Sequence, residues 1–295
     1  MNLSPSTATL TCGSRVLELG PRTLIMGVVN VTPDSFSDGG RFFSAERAFA
    51  QAMQLVEAGA DILDIGGEST RPFSKPVAEA EELGRVLPVI ERLADRTTVP
   101  ISIDTTKASV ARQAITAGAT LINDVSALRS DPQMAETAAR CRVPLVLMHM
   151  QGSPKTMQLN PVYSDLIGEI TAFLSAARDR AVAAGVDPGA IILDPGIGFG
   201  KTRRHNLQII GNLERFHGLG APILVGPSRK MFIRQLLKDP SQTDMDPLGI
   251  DVARGTQAVV AVAAMKGAHL VRVHDVARTR TTLTLVNAIR CVCVP

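Results

Sequence analysis

"AGADILDIGG" (Ala58–Gly67) holds a structural unit in ten residues. A helical pattern ends at Ala58, and Gly59 stands where a helix C-cap takes a left-handed residue. After the polar Asp61 comes a short apolar strand, Ile62–Ile65, which carries Asp64 near its end. The same order of helix end, Gly-Ala, polar residue, strand and polar residue returns in "AGATLINDV" (Ala117–Val125) and "KGAHLVRVHD" (Lys266–Asp275). "PGAIILDPG" (Pro188–Gly196) is a looser echo, and Gly118 and Gly267 repeat the role of Gly59. Such recurrence predicts a fold assembled from βα units.

Working outward, candidate strands fall at Leu24–Asn30, Ile62–Ile65, Ile101–Asp104, Leu121–Asp124, Leu145–His149, Ile191–Asp194, Ile223–Gly226 and Leu270–His274. Helical patterns such as "SAERAFAQAMQLVEAG" and "DVARGTQAVVAVAAMKG" lie between them. The strands are too short and too apolar for a half-exposed antiparallel sheet. Eight alternating units predict an α/β protein, a (β/α)8 TIM barrel, with an open doubly wound sheet as the runner-up. "TLTCGSRVLEL" ahead of them reads as a short N-terminal β-hairpin turning at Gly13. No linker interrupts residues 1–295, so a single domain is expected.

Composition narrows the function. A net charge of +3 with no basic run interleaved with aromatics argues against nucleic acid. No apolar run is long enough to span a bilayer, and "MNLSPSTATLTCGS" has neither the basic nor the apolar region of a secretory signal. Cys12, Cys141, Cys291 and Cys293 form no C-x-x-C pair and read as reduced thiols of a cytoplasmic protein.

Polar residues gather at the C-terminal strand ends: Asn30, Asp64, Asp104, Asn123 with Asp124, His149, Asp194, Ser228 just past the seventh, and Arg272 with His274. In a barrel these face one mouth, where active sites are built. A single polar strand end is only where polarity returns, but a complete ring points to a site. His149 reads as a structural histidine, and His205, His217 and His269 as surface or helix-end residues.

The loops add chemistry. "NVTPDSFSDGG" (Asn30–Gly40) is too polar for a plain connector. Thr70 and Arg71 in "GGESTRP" pair a hydroxyl with a guanidinium, which suits phosphate, although an N-cap and an exposed Arg fit equally well. "PSRKMF" puts Ser228, Arg229 and Lys230 after strand seven, a usual place for anion binding in barrels. "DPGIGFGKT" (Asp194–Thr202) is not a Walker A loop, because the first required glycine falls on Pro195, which has no N–H for a phosphate. Its glycines are expected to allow close approach of a flat ligand, with Phe199 at the edge. No G-x-S-x-G motif or His/Cys metal spacing appears. Carboxylates, amides and cations together suit a ligand with a donor-rich edge and a polyanionic end. Asp194 and Asn123 can read an aminopyrimidinone edge, and Arg71, Arg272 and His274 a diphosphate, with a hard cation on Asn30.

"GVVNVTPDSFSDGG", "DIGGESTRP", "ISIDTTK", "LINDVSAL", "LMHMQGSPKTMQ", "LDPGIGFGKT", "VGPSRK" and "VRVHDV" occur in that order, from about Leu24 to the C-terminus. Together they closely resemble dihydropteroate synthases. The resemblance implies a cytoplasmic, usually homodimeric barrel of folate biosynthesis. It would join 6-hydroxymethyl-7,8-dihydropterin diphosphate to 4-aminobenzoate, release pyrophosphate, use Mg2+ and be a sulfonamide target. It also implies Asn30 as metal ligand and Thr70 and Arg71 as diphosphate contacts. Asp104, Asn123, Asp194 and Lys230 would bind the pterin, Arg272 and His274 the diphosphate, and Ser228 the aminobenzoate carboxylate. Asp104, Lys230 and Arg272 would be the catalytic groups, and the Asn30–Gly40 loop a lid. Pro227 occupies a position variable in the family, and Ile197 one where many members carry Phe; both are expected on the pocket wall.

Pyrophosphate held by cations is a good leaving group, and the dihydropterin can delocalise positive charge at its methylene. Ionisation before attack by the arylamine is therefore expected, with Asp104 stabilising the cation. Two other readings differ in class. A methyl-transfer module presenting methyltetrahydrofolate to a corrinoid partner would need no diphosphate site, and a non-catalytic pterin-binding protein would release no pyrophosphate.

Overall fold

The computed structural model describes residues 7–32, 41–69, 74, 76–239, 241 and 243–293. The hairpin comes first, with β1 (Ala8–Cys12) antiparallel to β2 (Arg15–Leu19) and Gly13 turning at φ +60°. The parallel strands are β3 (Leu24–Asn30), β4 (Ile62–Gly66), β5 (Ile101–Asp104), β6 (Leu121–Asp124), β7 (Leu145–Met148), β8 (Ile191–Asp194), β9 (Leu224–Val225) and β10 (Leu270–Val273). From β3 to β8 each pairs with its successor, β10 pairs with both β3 and β9, and a parallel bridge from Leu193 to Ile223 closes the ring. The barrel is the predicted one, and the open sheet is excluded.

Around it run α1 (Arg41–Glu57), α2 (Glu79–Ala94), α3 (Ala108–Thr116), α4 (Met134–Cys141), α5 (Leu166–Ala183), α6 (Arg203–Gly211), α7 (Met231–Leu237), α8 (Ile250–Met265) and α9 (Val276–Cys293). Gly59, Gly118 and Gly267, the recurring glycines of the repeat, all have positive φ.

The seventh barrel strand is shorter than its apolar run predicts. Pro222 and Pro227 flank it without N–H groups, and the Ile223 N–H goes to His269 Nδ1 at 3.0 Å instead of to a strand. His269 is accordingly 1% exposed, a core histidine and not the surface or helix-end residue expected.

Alternation along each strand divides the interior in two. Ile25, Val29, Leu63, Ile65, Ile101, Ile103, Leu145, Leu147, Ile191 and Leu193 point outward and pack with the helices. Leu24, Met26, Ile62, Leu121, Val146, Ile192, Leu224 and Leu270 form a second cluster inside the barrel. Leu10, Cys12 and Leu19 of the hairpin join that inner cluster, so the hairpin plugs the N-terminal end. Burial there pushes the Cys12 thiol up to about 12, which leaves it an unreactive apolar filler. Among the described residues no helix is long and apolar enough to cross a membrane.

Candidate active site

The inward parity that places Ile62, Leu121, Ile192 and Leu270, and Ser102 in β5, near the strand starts gives polar groups two residues later. Asp64, Asp104, Asn123, Asp194 and Arg272 therefore project into the C-terminal mouth, above a closed apolar floor. Arg272 organises the centre. Its Nε donates to Asp64 Oδ2 at 2.5 Å and its Nη2 to Asp104 Oδ2 at 2.7 Å. Asn123 Nδ2 donates to the same Asp64 oxygen at 3.0 Å. Burial opposes the Arg272 charge, but the two carboxylates outweigh it and raise the guanidinium above its ordinary pKa. Asp64 Oδ1 and Ser102 Oγ are buried without a hydrogen-bond partner among the described residues. The polar centre of the mouth thus keeps acceptor capacity for a donor-rich ligand.

Burial pushes Asp104 up to about 7; Arg272 opposes this, and the charges of Asp64, Glu82 and Asp124 reinforce it. Burial also pushes Asp194 up to about 6, against the Gly196 N–H, Lys230, Lys201 and Arg272. Asp194 Oδ1 accepts that N–H at 2.6 Å. Both carboxylates are poised to bind or stabilise a cationic or N–H-rich group.

Just past β9 and β10, Ser228 Oγ lies 2.9 Å from His274 Nδ1 and accepts the His274 backbone N–H at 3.3 Å. The Pro227–Lys230 turn carries Arg229 at φ +59°, a left-handed conformation uncommon for a residue with a side chain. This turn delivers Lys230 to the cap of α7, with its ammonium 3.9 Å from the centre of the Phe199 ring. Asn30, the last residue of β3, is half-buried at the same mouth. Thr70, Arg71 and the Pro33–Gly40 part of the expected lid lie outside the described residues.

Three expectations change. The glycines of "DPGIGFGKT" make room for protein, not for a ligand. A Cβ on Gly196 would stand 1.9 Å from the His149 carbonyl oxygen, one on Gly198 2.8 Å from Lys230 Cδ, and one on Gly200 2.8 Å from the Gln151 carbonyl oxygen. Ile197 is not on the pocket wall; it is 1% exposed within the outer cluster, on the helix side of the barrel. Asp124 has the opposite parity to Asn123 and faces away from the mouth. Its oxygens accept from the Ser126 N–H and hydroxyl and the Leu128 N–H, holding the turn after β6.

Sequence reasoning gave Asp64 no specific role and missed Lys201, which is 3% exposed beneath the β8 loop. The only signal for Lys201 was the failed Walker motif. A cavity of about 250 Å³ lies among the loops after β4 to β7, between Glu68, Glu82, Thr106, Ser126 and Met150. A larger one of about 490 Å³ lies between β1 and the turns after α4 and α5, remote from every candidate catalytic group.

Fold and site together define a barrel enzyme whose mouth is built for a pterin-like heterocycle, and the model of the pterin binding enzyme family matches residues 26–274. A dihydropteroate synthase of Synechocystis is 47% identical over 267 residues, covering 90% of each chain. The solved structure of Xanthomonas albilineans dihydropteroate synthase with 4-aminobenzoic acid is 46% identical, with a TM-score of 0.87 over 98% of this chain and 100% of that one. The same bacterium's enzyme in complex with 7,8-dihydropteroate is 43% identical, with a TM-score of 0.83 over 97% and 100% of the two chains. The chain belongs to the dihydropteroate synthase family.

Proposed function

We propose that the ring of side chains at the barrel mouth divides the dihydropteroate synthase reaction among itself as follows. The reaction condenses 6-hydroxymethyl-7,8-dihydropterin diphosphate with 4-aminobenzoate, giving 7,8-dihydropteroate and pyrophosphate. The observation that carries the assignment is the Asp64–Arg272–Asp104 cluster with Asn123 beside it, a charged, donor- and acceptor-rich centre on an apolar floor. Asp194 and Asn123 take the aminopyrimidinone edge, because a carboxylate accepts two parallel N–H bonds from such an edge as it does from a guanidinium. Lys230, held over Phe199, lies against the ring. Arg272 keeps Nη1 without a partner among the described residues and its side chain 22% exposed, so it can face an anion while fixed by its two carboxylates. His274, Thr70 and Arg71 complete the diphosphate contacts, and Ser228 receives the aminobenzoate carboxylate.

C–O ionisation precedes attack by the arylamine. The developing cation at the pterin methylene is stabilised by Asp104, whose burial makes its charge act through a weakly screening medium. The neutral arylamine needs no strong base.

A metal fits this arrangement only as a partner of the substrate. Among the described residues no three His, Cys, Asp or Glu side chains could hold an ion together. The half-buried Asn30 amide at the mouth provides a single oxygen, which suits Mg2+ that takes its other ligands from phosphate and water. Bound there, Mg2+ would neutralise diphosphate charge.

Two copies would associate through α7, α8 and α9. These helices leave Leu236, Leu237, Ile250, Val262, Leu285 and Ile289 exposed on adjoining surfaces, and an apolar face of this kind is a feature of oligomer interfaces. A cytoplasmic location accords with the free thiols of Cys12, Cys141 and Cys291. Sulfonamides, which share a para-substituted aniline with an anionic end, should compete with 4-aminobenzoate.

The test is pyrophosphate release with and without 4-aminobenzoate. Mg2+-dependent release coupled to dihydropteroate formation supports the reading. Turnover of methyltetrahydrofolate with a corrinoid protein, and none of the diphosphate, would overturn it.

A further inference from the structure

Lys201 has no part in the reaction as described, yet it is a charged side chain 3% exposed beneath the active site. Its ammonium donates to the Phe199 carbonyl at 2.9 Å and the His149 carbonyl at 3.4 Å, and lies 2.9 Å from His149 Nδ1. Three acceptors for three ammonium protons is a complete shell. The contacts join the loop after β7 to the loop after β8, and they hold the backbone of Phe199, whose ring carries the Lys230 ammonium. A Cβ on Gly196 would meet Lys201 Nζ at 3.3 Å, and Gly196 is the residue whose N–H holds Asp194. The cation therefore packs against the turn whose N–H holds the carboxylate assigned to the pterin.

Resting on the pterin-binding reading above, we propose that Lys201 is a positioning residue of the pterin pocket. It ties the β7 and β8 loops together and acts as the internal counter-cation that keeps Asp194 ionised for the pterin edge.

The surrounding charges support this. Around Lys201 stand Asp194 from β8, Lys230 from the turn after β9, His149 from the loop after β7 and His205 from α6; Tyr163 packs on the rings of both histidines. Asp194 in turn meets Lys201, Lys230 and Arg272. Burial pushes Lys201 down to about 7, against Asp194 and with help from Lys230. Burial, with Lys201 and Arg129, pushes His149 down to about 2, so it stays neutral, and the tautomer with an unprotonated Nδ1 accepts from the Lys201 ammonium. Near pH 6, where Asp194 titrates, Lys201 is the protonated partner. Removing its charge leaves burial less opposed, so Asp194 takes up a proton at a higher pH.

The experiment measures, by calorimetry, the dissociation constant of 6-hydroxymethylpterin, which has no phosphate, from about pH 5 to 8 for the wild type, Lys201→Met and Lys201→Gln. Gln keeps hydrogen-bond donors for the two carbonyls but not the charge, and serves if the Met variant does not fold. In the wild type, affinity should fall as pH drops through about 6. In both variants that midpoint should move up by about one pH unit, so that binding at pH 6 is weakened roughly fivefold. A folded variant that keeps the wild-type midpoint would overturn the role of Lys201 while leaving the pterin reading intact. A wild type that binds no pterin at any pH would overturn that reading and this inference together.

Discussion

Asp104 shows how one side chain takes its properties from three sources. Strand alternation points it inward, burial raises its proton affinity to about 7, and Arg272 at 2.7 Å restrains that rise. A carboxyl with a raised pKa is protonated below that value and charged above it. If the charged form stabilises the pterin cation, kcat/KM should climb with pH through about 7, a limb that reports the free enzyme. Asp104→Asn keeps the size and one acceptor but abolishes the charge. It should lower kcat roughly 10²–10³-fold, as loss of one preorganised electrostatic group does. The limb near 7 should disappear with it, leaving the Asp194 limb near 6. Steady-state rates across pH, set beside the dissociation constant of a non-reactive diphosphate analogue, decide the point. A variant with full kcat and much weaker analogue binding would reduce Asp104 to an orienting role.

The loop from β8 to α6 behaves as one rigid element because its glycines are pressed against other parts of the chain. Gly196 has φ +73° and no space for a side chain beside the His149 carbonyl. Gly196→Ala should therefore force the β7 and β8 loops apart and cost at least about 4 kcal/mol, among the larger effects of single substitutions. Gly211, in α6, has nothing within 4 Å of an added Cβ. Gly211→Ala should be neutral or stabilising by up to about 1 kcal/mol, since alanine favours the helix. Urea unfolding of the two variants makes the comparison, and equal effects would refute the packing argument. At the other end of α6, Thr202 accepts the His205 N–H at 3.2 Å and His205 Nδ1 accepts the Thr202 N–H at 3.3 Å, a reciprocal cap that fixes where the helix starts.

At the scale of the whole molecule the barrel separates stability from function along its axis. The hairpin and strand starts form an apolar plug at one end, and the polar ring occupies the other. Leu10, 1% exposed in that plug, should cost about 2–5 kcal/mol when replaced by alanine, as buried leucines do. Its distance from the mouth implies unchanged pterin affinity, so a Leu10→Ala variant that is stable but binds pterin poorly would contradict the separation. The outer surface offers a second test. Leu285, 64% exposed on α9, lies on the proposed dimer face, and Leu285→Glu should shift the protein towards monomer in sedimentation velocity without disturbing the barrel. A sedimentation coefficient identical to that of the wild type would place the interface elsewhere.

What the sequence determined by itself was local and periodic. The recurring Gly-Ala boundary marked the βα units, and the polar strand ends put Asp64, Asp104, Asn123, Asp194 and Arg272 at one mouth. The ordered motifs were enough to name a family. Pairing across the barrel was not legible in this way. Arg272 meets Asp64 and Asp104 across 208 and 168 residues of chain, and Lys201 meets His149 across 52. His269 reached the core because a proline-flanked strand left the Ile223 N–H for it. Ile197 and Asp124 lay on the helix side and not at the mouth. Periodicity decides which face of a strand a side chain takes, because backbone geometry repeats every two residues. Which side chains then meet depends on how the strands stagger as the barrel closes, and that is set by packing over the whole chain.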